Sequence, residues 1–186
     1  MMTPIGALMI EHRLIEHMVH LLAAHVEQIK QGEAVDLDFV DSAIDFIRTY
    51  ADRCHHGKEE DILFRDLETR PLDAAHKQVL RELIQEHVVA REMTRRLAAA
   101  TDRYRHANQD ALQEIAISAG ELVALYPQHI EKEDRHFFGP IMDCFTNDEL
   151  SDMLSRFWEF DRKLIHERYR SVVDRWEAAS SAQGNS

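Results

Sequence analysis

The chain has 186 residues, 45% of them apolar, which fits one domain with a real core and excludes a disordered polymer. Its formal net charge of −12 repels phosphate backbones and anionic bilayers, so nucleic acid and membranes are poor partners. Only six glycines and four prolines predict few turns and long helices, while twelve histidines make metal binding the first question.

Thr3-Pro4 provides a hydroxyl cap and a proline for the first helical position. Leu8, Ile15, Val19, Leu22 and Val26 then recur at three- and four-residue steps, predicting a helix to about residue 30. A second helix is expected over about 38–68, with Ile44, Ile47, Ala51, Ile62 and Leu63 inward, ended by Pro71. A third is expected over about 73–105. The fourth begins near Gln109 and contains Pro127, so a kink is expected there. Thr146-Asn147-Asp148-Glu149 reads as a capping box opening a fifth helix over about 148–178. Residues 179–186 are small and polar and are expected to be a disordered tail.

No stretch alternates like a strand, and helices of about 30 residues reach about 45 Å. Short links between long helices imply antiparallel neighbours. The expected fold is therefore all-α: one domain over residues 1–178, an up-and-down four-helix bundle with an additional C-terminal helix. No apolar run reaches the roughly 18 residues a membrane span requires. The N-terminus lacks a basic region and a cleavage site, and the lone cysteines Cys54 and Cys144 share no motif. Both features predict a cytoplasmic protein with reduced thiols.

The chemistry lies in an internal repeat. Glu11-His12 on the first helix recurs as Glu86-His87 on the third. His55-His56-Gly57-Lys58-Glu59-Glu60 on the second helix recurs as His129-Ile130-Glu131-Lys132-Glu133-Asp134 on the fourth. His12 and His55 are 43 residues apart, and His87 and His129 are 42 apart, so one helix pair is used twice. Residues i and i+4 share a helix face, so each His-x-x-x-Glu can present imidazole and carboxylate to one interior point. Four imidazoles, His12, His55, His87 and His129, and two carboxylates, Glu59 and Glu133, form the candidate metal ligands. Buried without a cation, such a group costs heavily in desolvation. Nitrogen and oxygen donors without thiolate suit iron or manganese, with zinc possible.

The register on the second helix has an alternative, because His56 and Glu60 show the same spacing. Aligning Lys58-Glu59 with Lys132-Glu133 favours His55 and Glu59, leaving His56 and Glu60 at the rim or behind the ligands. Glu11 and Glu86 are either orienters of ligand imidazoles or a solvated face. His20 is a possible spare ligand, and Tyr50 and Tyr126 either approach the site or pack in the core.

Over about residues 5–142 the chain resembles the hemerythrin-like family, also called the HHE cation-binding domain. The resemblance implies a non-haem diiron site, with His12, His55, His87 and His129 as terminal ligands and Glu59 and Glu133 as bridges. It implies two iron ions, ahead of manganese or zinc, and O2 or NO as the small ligand. The oxygen carriers of the family use five histidines; where their second third-helix histidine stands, this chain has Arg91. It is thus more similar to four-histidine, two-glutamate members associated with sensing, iron handling or repair of nitric-oxide-damaged iron centres. Binding for sensing, storage or delivery is the leading expectation, since no acid–base group beyond the ligands is evident. A diiron peroxidase, oxidase or NO-detoxifying enzyme is the alternative. The apolar face of the fifth helix either packs on the bundle or pairs two chains, so monomer and homodimer both stand.

Overall fold

The computed structural model describes residues 2–161 and 165–183. Among the described residues the chain is helical and contains no strand. Helix α1 spans Pro4–Lys30. The Thr3 hydroxyl accepts the Gly6 amide at 3.1 Å, and Pro4, which has no N–H to leave orphaned, opens the helix. Gly32 turns the chain at a φ of 87°, a left-handed value that costs glycine little. Asp36 then caps α2, Leu37–Phe46, by accepting the Phe39 amide at 3.0 Å.

The expected second helix is one rod, but its winding changes. After α2 the backbone is π-helical over Ile47–His56 and again over Glu59–Phe64, then closes as a short α turn, Arg65–Leu67. Bonding from i to i+5 widens the turn and resets which residues share a face. Helix α3, Ala74–Arg105, starts where Asp73 accepts the His76 amide at 2.8 Å. Helix α4, Ala111–Lys132, runs through Pro127 without ending. It continues as a π turn, Glu133–Phe137, and a last α turn, Phe138–Met142. Wide turns therefore occur on the second and fourth rods, at both copies of the repeat.

The single fifth helix expected over 148–178 is described as two helices, α5 Asn147–Asp161 and α6 Ile165–Gln183. The Thr146–Glu149 capping box forms at the start of α5, Glu149 Oε2 accepting the Thr146 amide at 2.8 Å. Leu164, expected on the apolar face, lies outside the described residues. Of the tail expected to be disordered, residues 179–183 belong to α6, and residues 184–186 lie outside the described residues.

α1, the second rod, α3 and α4 form the four-helix bundle, with α3 along α4 and α4 along α1. α5 and α6 lean on α1 and the second rod. The core has two apolar clusters. One contains Met18, Leu22, Phe39, Phe46, Leu97, Leu122 and Tyr126; the other contains Leu8, Leu63, Phe64, Leu83, Phe137, Phe138 and Phe157. On every rod the repeat motif falls between a residue of one cluster and a residue of the other. A polar layer is thus sandwiched between two dry ones. Leu22 is 1% exposed in the first cluster. Leu22→Ala is expected to cost about 2–5 kcal/mol of stability, read from urea denaturation midpoints. Among the described residues no helix is long and apolar enough to cross a membrane.

Candidate metal centre

The polar layer collects seven buried titratable side chains: His12, His55, His56, Glu59, His87, His129 and Glu133. His12 comes from α1, His87 from α3 and His129 from α4. His55, His56 and Glu59 come from the π-helical turns of the second rod, and Glu133 from the π turn after α4. All six side chains singled out by the repeat meet in this layer.

The imidazole Nε2 atoms point at the carboxylates. Glu59 directs Oε1 to His55 Nε2 at 3.5 Å and Oε2 to His87 Nε2 at 3.4 Å. Glu133 Oε2 lies 3.2 Å from His12 Nε2 and 3.3 Å from His129 Nε2. Each carboxylate therefore stands between imidazoles of both repeat halves. Two groups have donor atoms mutually within 4.8 Å: His56, Glu59, His87 and His129, and His12, His55, Glu59 and Glu133.

These donors lack internal partners. Nε2 of His12 and of His55, and both oxygens of Glu59 and of Glu133, are buried without a hydrogen bond. Buried polar atoms are ordinarily satisfied, and leaving several carboxylate oxygens bare costs more than a small domain can spare. A cation resolves this, and a nitrogen and oxygen set without thiolate suits first-row metals such as iron. Cys54, though buried nearby in sequence, joins neither donor group.

Electrostatics agree with the geometry. Burial, reinforced by Glu133, holds the Glu59 carboxyl well above the usual range. Burial also opposes ionisation of Glu133, but the imidazoles of His129, His12 and His87 overcome it and draw the carboxyl down to about 2. Burial, with His12 next, pushes His55 far down; burial, with His87 next, does so for His56. Both are neutral imidazoles, the form that ligates a metal. His12 is the exception: burial lowers it, yet Asp134 and Glu133 raise it to about 9. That elevation reflects bare carboxylates that a metal would share.

A second layer orients the rings. His55 Nδ1 donates to Glu11 at 2.8 Å, and His129 Nδ1 to Glu86 at 2.9 Å. His87 Nδ1 donates to Glu60 at 2.7 Å, and His12 Nδ1 to Asp134 at 2.7 Å. Every one of these bonds crosses between helices. With the proton assigned to Nδ1 by its carboxylate, each Nε2 presents a lone pair inward. Glu11 and Glu86 are thus orienters rather than a solvated face. Glu60 is one as well: Glu59 faces the interior and Glu60 stands behind His87.

His56 is the correction. Expected at the rim or behind the ligands, it is buried and belongs to a donor group with Glu59, His87 and His129. Its ring stacks on His87 at 3.8 Å between centroids, and its Nδ1 lies 3.5 Å from Asp52. In an α-helix adjacent residues point about 100° apart, and a wider winding brings them closer to one face. The π winding over Ile47–His56 turns both in. The layer therefore holds five imidazoles, not four. Its counterpart in the other half is Ile130, also buried, and that inward counterpart was the one signal in the sequence. Arg91 is half-buried and pairs instead with Asp52 and Glu60, each at 2.7 Å.

Other sequence candidates lie outside the donor groups. His20 is exposed. Tyr50 donates its hydroxyl to His166 Nδ1 at 3.0 Å. Tyr126 is buried beside His56, with ring centroids 6.4 Å apart, and its hydroxyl has no partner. Tyr126 and His56 line a cavity of about 350 Å³ whose rim carries the exposed side chains of Arg48 and Arg95.

An uncharacterized protein of Mycobacterium tuberculosis and one of Mycobacterium bovis are each 23% identical to this chain over 169 residues. The match covers 90% of this chain but 65% of each relative, so the chain spans just under two thirds of their length. A family model described as the hemerythrin HHE cation binding domain matches residues 3–141. That segment runs from the Thr3 cap into the last turn of the fourth rod and contains all seven inward side chains. The chain belongs to the hemerythrin HHE cation-binding domain family.

Proposed function

We propose that this chain holds two iron ions in the polar layer and binds a diatomic ligand, O2 or NO, at an open position of one of them, for sensing, storage or delivery. The observation that carries the reading is the unequal division of imidazoles around a shared carboxylate. His56, His87 and His129 would hold one ion, and His12 and His55 the other. Glu59, which belongs to both donor groups, and Glu133 would lie between them. With three imidazoles against two, the His12–His55 ion would have fewer nitrogen donors, and an exogenous ligand would bind there. Iron at such a position supplies reversible binding of diatomic molecules.

The residues of the chain do the rest. Glu11, Glu60, Glu86 and Asp134 hold the ligand rings in one tautomer. The clusters above and below, with Phe64 and Phe138 stacked at 6.0 Å from His87 and 5.7 Å from His12, exclude water. The cavity at His56 and Tyr126 opens the layer on the side of the His56, His87 and His129 group.

The test is metal analysis with spectroscopy. The protein purified with its metal should contain two irons per chain. Its visible spectrum should change in air and return when oxygen is removed, or change with NO. Irreversible oxidation with turnover of peroxide or NO would assign an enzyme instead. Zinc alone, or no metal, would overturn the diiron reading.

A further inference from the structure

The two repeat halves are supported differently from outside. Glu86, behind His129, meets Lys132 Nζ at 2.5 Å, and Lys132 also meets Glu82 at 3.2 Å. That branch is partly solvated: the side chains of Lys132 and Glu86 are each 25% exposed. Glu11, behind His55, is held by Lys58, which is completely buried. Lys58 reaches onward to Asp161 Oδ2 at 2.5 Å. Asp161 ends α5 and accepts from His166 Nε2, on α6, at 2.9 Å. An unbroken chain of contacts therefore runs from the C-terminal helices to His55: His166, Asp161, Lys58, Glu11, His55. Its last donor is in the polar layer, and its first two members lie beyond residue 141, where the family match ends.

Donor atoms of Glu11, Asp161 and His166 also lie mutually within 4.8 Å. A third metal ion is not what this cluster holds, because the Lys58 ammonium already stands against both carboxylates and would repel a divalent cation. The lysine makes the cluster a charge-balanced clamp. A buried ammonium needs its donors satisfied, and Glu11 alone offers too few oxygens while Oε2 is engaged by His55. Asp161 supplies the second carboxylate, so Glu11 is not drawn away from His55.

Building on the diiron reading, we infer that Asp161 is a positioning residue for the His12–His55 half of the centre, acting through Lys58 and Glu11 on the His55 ring. The C-terminal helices are then part of the centre's support, on one side only. Loss of Asp161 frees Lys58 to compete for the Glu11 oxygen that orients His55, while His129, resting on Lys132 and Glu86, is untouched.

The test compares Asp161→Asn with Glu82→Gln, its counterpart behind His129, by anaerobic titration with iron(II) against a competing chelator. Nitrogen NMR of the imidazoles in the metal-free protein accompanies it. Asp161→Asn should weaken one of the two ions about 10–100-fold, the usual scale for an outer-shell partner, and leave the other unchanged. Its His55 ring signals should move while those of His129 stay. Asp161→Glu should restore both properties, and Glu82→Gln should alter neither ion. If Asp161→Asn is too unstable to titrate, His166→Gln, at the half-exposed end of the chain of contacts, should give the same selective loss at smaller size. Wild-type affinities and His55 signals in Asp161→Asn, equal weakening of both ions, or the same effect from Glu82→Gln would overturn the inference. A wild-type protein that binds no iron would refute the diiron reading separately, and the NMR comparison would then decide the positioning role by itself.

Discussion

Glu59→Gln is expected to empty the centre while making the metal-free protein more stable. Glu59 is the one side chain common to both donor groups, so losing its charge should remove both ions. Metal analysis of the purified variant should read close to zero. In the absence of metal the same change relieves a burden, because both Glu59 oxygens are buried without partners. The sign with pH follows from the raised Glu59 pKa. The folded metal-free protein keeps a proton there that the unfolded chain has already released, so folding weakens as pH rises above the ordinary value of 4.5. Glutamine has no proton to lose. The thermal midpoint of metal-free Glu59→Gln should therefore exceed that of the metal-free wild type at neutral pH, and the gap should close as pH falls toward 4.5. With iron present the order should reverse, since only the wild type gains binding free energy, about 2.7 kcal/mol at a hundredfold excess over Kd. A metal-free wild type at least as stable as the variant at neutral pH would refute the account of those orphaned oxygens.

His56→Ile is the second large effect. It copies the other half of the repeat, where Ile130 occupies the matching position. One donor group should fall from three imidazoles to two, while the group of His12, His55, Glu59 and Glu133 is untouched. Loss of a direct ligand should exceed the outer-shell scale, so the affinity of one ion is expected to fall by more than about 100-fold. Stepwise titration should then show one strong and one weak site. Isoleucine is buried readily, so the fold should survive and the effect should be confined to metal. Retention of two irons at wild-type affinity would return His56 to a stacking role against His87 and Tyr126.

The sequence by itself determined the helical class, the four long rods and six of the seven inward side chains. These depend on local periodicity: Glu11-His12 and His55-x-x-x-Glu59 have copies in Glu86-His87 and His129-x-x-x-Glu133, and residues four apart share a face whatever surrounds them. Tertiary structure decided what periodicity cannot express. His56 lies in the layer on a stretch where the second rod widens into π turns, a departure that no residue of Ile47–His56 announces. The pairing of Glu60 with His87 and of Asp134 with His12 depends on how the rods are registered across the bundle. Asp161 reaches Lys58 only because α5 folds back onto α1, bringing together residues 103 apart in the chain. The identity of the inward donors is carried by spacing along one helix, whereas their number, orientation and outer support arise from contacts between helices, which only packing creates.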